Sequence, residues 1–206
     1  MTIFYTFDGK LYANITNKCP CDCKFCIRRG GDSIVGNDSL WLEHEPTPAE
    51  IKSAFDAYDA SQIGEVVFCG YGEPMQRAQT LIDTARYIKS KGDIRIRVNT
   101  NGLVRLIDPQ FDISALKGAV DSVSVSLNAS DEKKYNEITR PCFGEKAYGE
   151  MLRFSQDVKA MGIEVGFTVV DMDGMEDEIA ACQEVADSMG IPLRVRDYVT
   201  DNESYT

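Results

Sequence analysis

The chain has 206 residues, with 33 Asp and Glu against 22 Lys and Arg, a net charge of -11, seven cysteines and one histidine. That balance excludes a general nucleic-acid binder, which needs a basic surface to displace counterions, and the lone His44 argues against zinc deaminase, metallohydrolase and facial-triad iron sites, which draw two or more histidines from one chain. No run approaches the roughly 18 to 20 apolar residues of a membrane helix, and Met1 to Lys10 is polar with no signal-peptide core; a soluble cytosolic protein of one domain, 1–206, is expected. In chain order, "LYANIT" (11–16) is extended and runs into the cysteines. "TPAEIKSAFDAYDA" (47–60) opens as a helix, with Thr47 and Glu50 as a capping box around Pro48. "EVVFCG" (65–70) is a buried strand, and "QRAQTLIDTARYIKSKG" (76–92) a helix stopping at Gly92. "IRIRVNTNG" (94–102) and "DSVSVSLN" (121–128) alternate as strands. Helices follow at 130–138 and 148–162, a strand at 163–170, a helix at 175–190, and a last strand at 191–199.

Six strands separated by helices predict a parallel sheet of right-handed βαβ units. An open sheet covered on both faces carries nearly continuous apolar strands. Here Ser122, Ser124, Ser126 and Asn128 share one face and Val123, Val125 and Leu127 the other. Arg95, Arg97, Asn99 and Asn101 likewise oppose Ile94, Ile96, Val98 and Thr100. Polar faces turned inward and apolar faces under helices predict an α/β fold, a (β/α)6 partial barrel with its function at the carboxyl ends of the strands.

"NKCPCDCKFC" (17–26) packs four cysteines into eight positions at the end of the first strand. An odd total with four clustered is a poor disulfide framework. Cys19, Cys23 and Cys26 have C-x3-C-x2-C spacing. Soft thiolates select iron–sulfur clusters, zinc or copper(I). Three of them leave one iron of a [4Fe–4S] cluster open, whereas Cys21 as a fourth ligand would make a closed zinc loop or an electron carrier. Cys69 and Cys182 read as small core residues. Cys142, in "RPCFGE", could lie near substrate, His44 reads as an exposed loop residue, and Trp41 as a surface anchor or lid.

The triplet resembles the signature of the radical S-adenosylmethionine (SAM) superfamily. "CGYGEP" (69–74) resembles that family's Gly-Gly-Glu-Pro segment, with Tyr71 in place of the first paired glycine. "NTNG" (99–102), and Ser126 and Asn128 after the fourth strand, fall in the family's order. Together with "LYANITNKC", "CDCKFCIRR", "LWLEHEPT", "ITRP" and "FTVVD", these stretches look like the small radical SAM proteins associated with TatD-family nucleases.

The resemblance implies a [4Fe–4S] cluster on Cys19, Cys23 and Cys26. It also implies SAM bound by Phe25, Tyr71, Gly72, Glu73, Pro74, Asn101, Ser126 and Asn128, with the glycine backbone approaching the ligand. An electron donor such as flavodoxin or ferredoxin and a functional link to a TatD-family nuclease are further implied. The expected chemistry is reductive cleavage of SAM to a 5′-deoxyadenosyl radical that takes hydrogen from a substrate. Within that chemistry the alternative is a glycyl-radical activase acting on a partner protein; outside it, an iron–sulfur electron-transfer protein. Arg97 and Arg196, with inward alternation in an acidic chain, point to a small anionic substrate; Arg140 reads either as closing over it or as a surface ion pair. Arg95 and Arg194 are expected deeper, toward the opposite barrel end.

Overall fold

A computed structural model describes residues 1–29, 33–35 and 38–198. Strands β1 (Phe4–Phe7) and β2 (Lys10–Ala13) form an antiparallel hairpin across Asp8-Gly9. A second small hairpin pairs β3 (Ser33–Val35) with β4 (Asp38–Ser39). There follow α1 (Pro48–Phe55), β5 (Glu65–Phe68), α2 (Ala78–Lys89), β6 (Arg95–Thr100), α3 (Val104–Ile107) and β7 (Ser122–Ser126). Then come α4 (Glu132–Thr139), α5 (Lys146–Ala160), β8 (Glu164–Asp171), α6 (Glu176–Met189) and β9 (Leu193–Asp197). The main sheet has seven strands in the order β1-β2-β5-β6-β7-β8-β9, and every neighbouring pair from β2 onward is parallel. The six expected parallel strands are therefore present, as a partial barrel whose described edges are β1 and β9. Among the described residues no helix is long and apolar enough to cross a membrane.

The alternation explains the curvature. Val66 and Phe68, Ile96 and Val98, Val123 and Val125, and Phe167 and Val169 are buried outward against the helices. They meet Leu81, Ile82 and Ile88 of α2, Met151, Phe154 and Val158 of α5, and Cys182 and Ala186 of α6, in one continuous core. Each such side chain stabilises the fold by about 1.5 to 3 kcal/mol relative to exposure. The inward faces are polar and line cavities, with Arg95, Arg97, Ser122 and Ser124 toward one end and Asn99, Asn101, Ser126 and Asn128 toward the other.

Helix boundaries differ from expectation in two places. The Thr47–Glu50 capping box forms, but α1 stops at Phe55 and a separate 3-10 turn, capped by Asp59, occupies 60–62. Helix α2 ends at Lys89 with Ser90 as its cap, so Gly92 lies beyond it. The last strand runs over Leu193–Asp197, and the expected extension to Val199 lies outside the described residues. Strand β1 was absent from the pattern-based reading, although Asp-Gly between two extended runs is a strong hairpin signal.

Phe154 is fully buried and packs beneath Gly102, in the loop that follows β6. Phe154→Ala should cost about 3 to 5 kcal/mol of unfolding free energy, read as a lower denaturant midpoint with an unchanged slope.

Candidate functional site at the carboxyl end of the sheet

The cysteine loop has little regular structure, so its shape comes from what holds it. On one side, Glu73 N–H donates to the Lys18 carbonyl at 2.8 Å. A side chain at Gly72 would collide with the Thr16 carbonyl and stand 2.7 Å from that of Lys18. One at Gly70 would collide with the Asn14 side chain. The glycines of this segment are thus required by contact with the chain leading into the cysteines. Gly72 at the same time lines the cavity, as expected of a backbone that approaches a ligand.

On the other side, the residues after α4 clamp the loop. Asp22 N–H donates to the Thr139 carbonyl at 3.1 Å, Lys24 N–H to Ile138 at 2.9 Å and Cys142 N–H to Pro20 at 2.8 Å, while Cys21 and Pro141 form an antiparallel bridge. Asn17 ties the loop to a third segment: its Nδ2 donates to the Leu42 carbonyl at 2.7 Å and its Oδ1 accepts from Leu42 N–H at 3.0 Å.

Cys19, Cys23, Cys26 and Phe25 line a cavity of about 190 Å³ together with Tyr71, Gly72, Glu73, Pro74, Asn101, Ser126, Asn128 and Arg196. Four sequence-distant loops, after β2, β5, β6 and β7, therefore face one space. Asn128 holds a left-handed backbone (φ +57°) while 4% exposed, a strained position for a residue other than glycine. The Glu73 carboxylate is buried and accepts from Thr100 Oγ1 at 2.6 Å, Asn101 N–H at 2.7 Å and Met75 N–H at 3.0 Å. Burial raises its pKa above the ordinary carboxylate value, and these three donors oppose the rise. Glu73 thus locks the loop after β5 to the loop after β6. The Asn101 side chain is also engaged: Oδ1 accepts from Leu103 N–H at 3.0 Å, and Nδ2 donates to Cys21 Sγ at 3.7 Å.

The cysteines differ electrically. The Cys21 thiol lowers the Cys19 pKa, against the effect of burial. Hydrogen bonds with Cys19 and Cys23, and burial, drive the Cys21 thiol the other way, well above its ordinary value. Among the described residues no group of three or more His, Cys, Asp or Glu side chains is arranged to hold a metal ion. All four thiols of the loop line the cavity, and Cys21 is hydrogen-bonded to Cys19 and Cys23. Pattern reading missed Arg28, whose Nε donates to Cys26 Sγ at 3.4 Å and whose guanidinium lies 5.9 Å from the centre of the Trp41 ring. Trp41 packs edge-on against Tyr71 at 4.9 Å, in keeping with an anchor role. Cys69 was read as a packing residue; it lines the cavity, and Tyr135 and Thr139 do so as well.

Of the two readings of Arg140, the surface ion pair is the one that forms. Arg140 caps α4 in a left-handed conformation, is exposed, and pairs with Asp22 at 3.5 Å on the outside of the cysteine loop. Cys142 is exposed on the same clamp. Arg97 lies below the rim cavity, near Glu65 at 3.8 Å. Arg95 pairs with Glu164 and Glu65 at the far end, as expected. Arg194 shares a lower chamber with Arg97 and Arg196.

A curved α/β sheet that gathers soft thiols and a polar cradle on the loops at its carboxyl end defines an iron–sulfur enzyme of the partial-barrel class. The sequence profile of the radical SAM superfamily matches residues 13–187, and the chain belongs to that superfamily, whose enzymes use a [4Fe–4S] cluster and SAM. It is 26% identical over 178 residues to a protein of Parasynechococcus marenigrum named "Probable dual-specificity RNA methyltransferase RlmN", covering 84% of this chain and 50% of that one. It is 27% identical over 191 residues to a "GTP 3′,8-cyclase" of Bradyrhizobium diazoefficiens, covering 89% and 51%. The chain thus spans about half the length of these curated relatives. Among solved structures, a radical SAM methyltransferase from Sphaerobacter thermophilus superposes with a TM-score of 0.63 at 19% identity, over 94% of this chain and 68% of that one, and shares the fold.

The donor set fits the family's cofactors. Soft thiols, those of Cys19, Cys21, Cys23 and Cys26, edge the cavity, and such donors are the ones an iron–sulfur cluster would take. Within the same cavity Asn99 Oδ1 is buried without a hydrogen-bond partner among the described residues, a vacancy that a polar ligand's donor would fill.

Because the contact at Gly72 is with backbone, Gly72→Ala should reduce stability and the iron retained after reconstitution together. Denaturant titration and iron assay on the same preparation check this.

Proposed function

We propose that this chain is a radical SAM enzyme acting on a small anionic substrate. The observation that carries the reading is that Cys19, Cys23 and Cys26 and the segment Gly70–Pro74 line one cavity. When bound there, the cluster supplies the electron that cleaves SAM to methionine and a 5′-deoxyadenosyl radical, which takes a hydrogen atom from substrate.

The chain's own residues supply placement. Cys19, Cys23 and Cys26 would hold the cluster, three thiolates for a group that can take four ligands. Arg28, donating to Cys26 Sγ, draws electron density from that ligand and favours the reduced state. Phe25 and Tyr71 give apolar surface for the cofactor's adenine end, and the apolar lining excludes water. Ser126 and Asn128 present polar side chains to the ribose and methionine portions. Glu73 and Asn101 act through the loops they hold. The electron comes from a flavodoxin or ferredoxin, and the resemblance to TatD-associated proteins supports a functional link to such a nuclease.

Anaerobic reconstitution should give about four irons and four sulfides per chain. Cys19→Ala, Cys23→Ala and Cys26→Ala should each abolish incorporation, and Cys21→Ala should retain most of it. Equal loss in the Cys21 variant would instead indicate a closed four-thiolate carrier.

SAM should perturb the electron paramagnetic resonance spectrum of the reduced cluster and yield 5′-deoxyadenosine. Asn128→Gly, which keeps the left-handed backbone and removes the side chain, should weaken that response at constant iron. An unchanged wild-type spectrum at saturating SAM sinks the enzyme reading. Stoichiometric 5′-deoxyadenosine formed only with a protein partner would favour the glycyl-radical activase.

A further inference from the structure

Beneath the rim cavity the lumen continues as a chamber of about 490 Å³ between the β1–β2 hairpin and β9. Arg97 of β6, Arg194 and Arg196 of β9, and Tyr12 of β2 face it. Arg97 and Arg196 are half-buried there and Arg194 is exposed at the open side; three guanidinium groups around one space repel one another, and a desolvated guanidinium ordinarily has a carboxylate partner. This chain has 33 acidic residues with which to provide one, yet the neutralisation is incomplete. The only ion pair of Arg97 among the described residues is with Glu65 at 3.8 Å, and Glu65 also serves Lys10 at 3.3 Å and Arg95 at 3.8 Å. Arg97 Nε is buried with no hydrogen-bond partner among those residues. Asp8 and Asp197 border the chamber, but neither forms an ion pair with Arg194 or Arg196 among the described residues.

The electrostatics agree with the geometry. Burial, then Arg196 and Arg97, pull the Arg194 pKa below its ordinary value. Tyr12 is raised by burial, and Arg97 and Arg196 oppose that rise. An anion entering the chamber relieves the repulsion and satisfies the idle donors, since guanidinium forks match phosphate oxygens in pairs. Three such groups exceed what a single carboxylate needs. Arg196, Asn99 and Cys69 border both the chamber and the rim cavity, so a molecule anchored below extends naturally toward the thiol-lined rim.

We propose that Arg97, Arg194 and Arg196 form an anion subsite that anchors the phosphate group of a small phosphorylated substrate, with the rest of that substrate directed to the rim. The orientation toward the rim rests on the radical SAM reading; the phosphate site itself does not. The two are therefore tested separately, the first by phosphate binding without SAM and the second by 5′-deoxyadenosine formation.

The probe is inorganic phosphate, titrated calorimetrically into the reconstituted full chain, with succinate and glycerol as comparisons. Phosphate should bind, more weakly as salt rises, and glycerol should not. Arg194→Gln and Arg97→Gln should each weaken phosphate about tenfold or more, while Arg194→Gln keeps its iron and its SAM-perturbed resonance spectrum. Without phosphate, Arg194→Gln should melt at or above the wild-type temperature, because it removes an uncompensated charge, and phosphate should no longer raise that temperature. Absence of phosphate binding, equal binding by the glutamine variants, or preference for succinate would overturn the proposal.

Discussion

The backbone at Gly72 lies so close to the carbonyls of Thr16 and Lys18 that no side chain fits between them. Much else depends on that contact. It presses the loop after β5 onto the chain entering the cysteines, and the 2.8 Å bond from Glu73 N–H to Lys18 closes it. Glu73 then turns its carboxylate the other way, to Thr100 and Asn101, and so brings in the loop after β6. Three loops that a parallel sheet leaves independent become one rigid rim. A carboxylate buried at that point is costly, and its three donors offset the cost by making it a joint.

The charge of the molecule is distributed against its average. A chain of net charge -11 nevertheless gathers the guanidinium groups of Arg97, Arg194 and Arg196 around one chamber beside its sheet. Arg95 is discharged at the far mouth by Glu164 and Glu65, whereas Arg194 and Arg196 have no ion pair among the described residues. The lumen thus grades from paired cations at one end, through idle ones, to thiols at the other.

Much of this was legible in the sequence. The Ser-Val-Ser-Val alternation at 122–125 reported a polar lumen under an apolar shell, because a strand's two faces are read directly from period two. The cysteine spacing and its position after a strand located the rim. What was not legible depended on contacts between distant segments. The pairing of 20–24 with 138–142 leaves no local pattern, so the sequence left Arg140 between a rim role and the surface ion pair it makes with Asp22. That Gly72 is also pressed against Thr16 and Lys18 was not legible, since a sequence cannot say what packs on a glycine's far face. Arg194 lies deeper than Arg196 and lines the far-end cavity with Arg95, as its position in the strand implied, but that it also borders the chamber of Arg97 and Arg196 was not legible. Strand β1 could have been found, and Asp8-Gly9 was its signal.

One feature of the rim has a practical side. The chain's single tryptophan, Trp41, lies against Tyr71 of the cofactor segment and close to Arg28, which donates to Cys26. The protein therefore carries an intrinsic fluorophore within two contacts of a thiol. Its emission is a label-free gauge of whether the loop is folded around its cofactors, readable in a cuvette without air-sensitive spectroscopy.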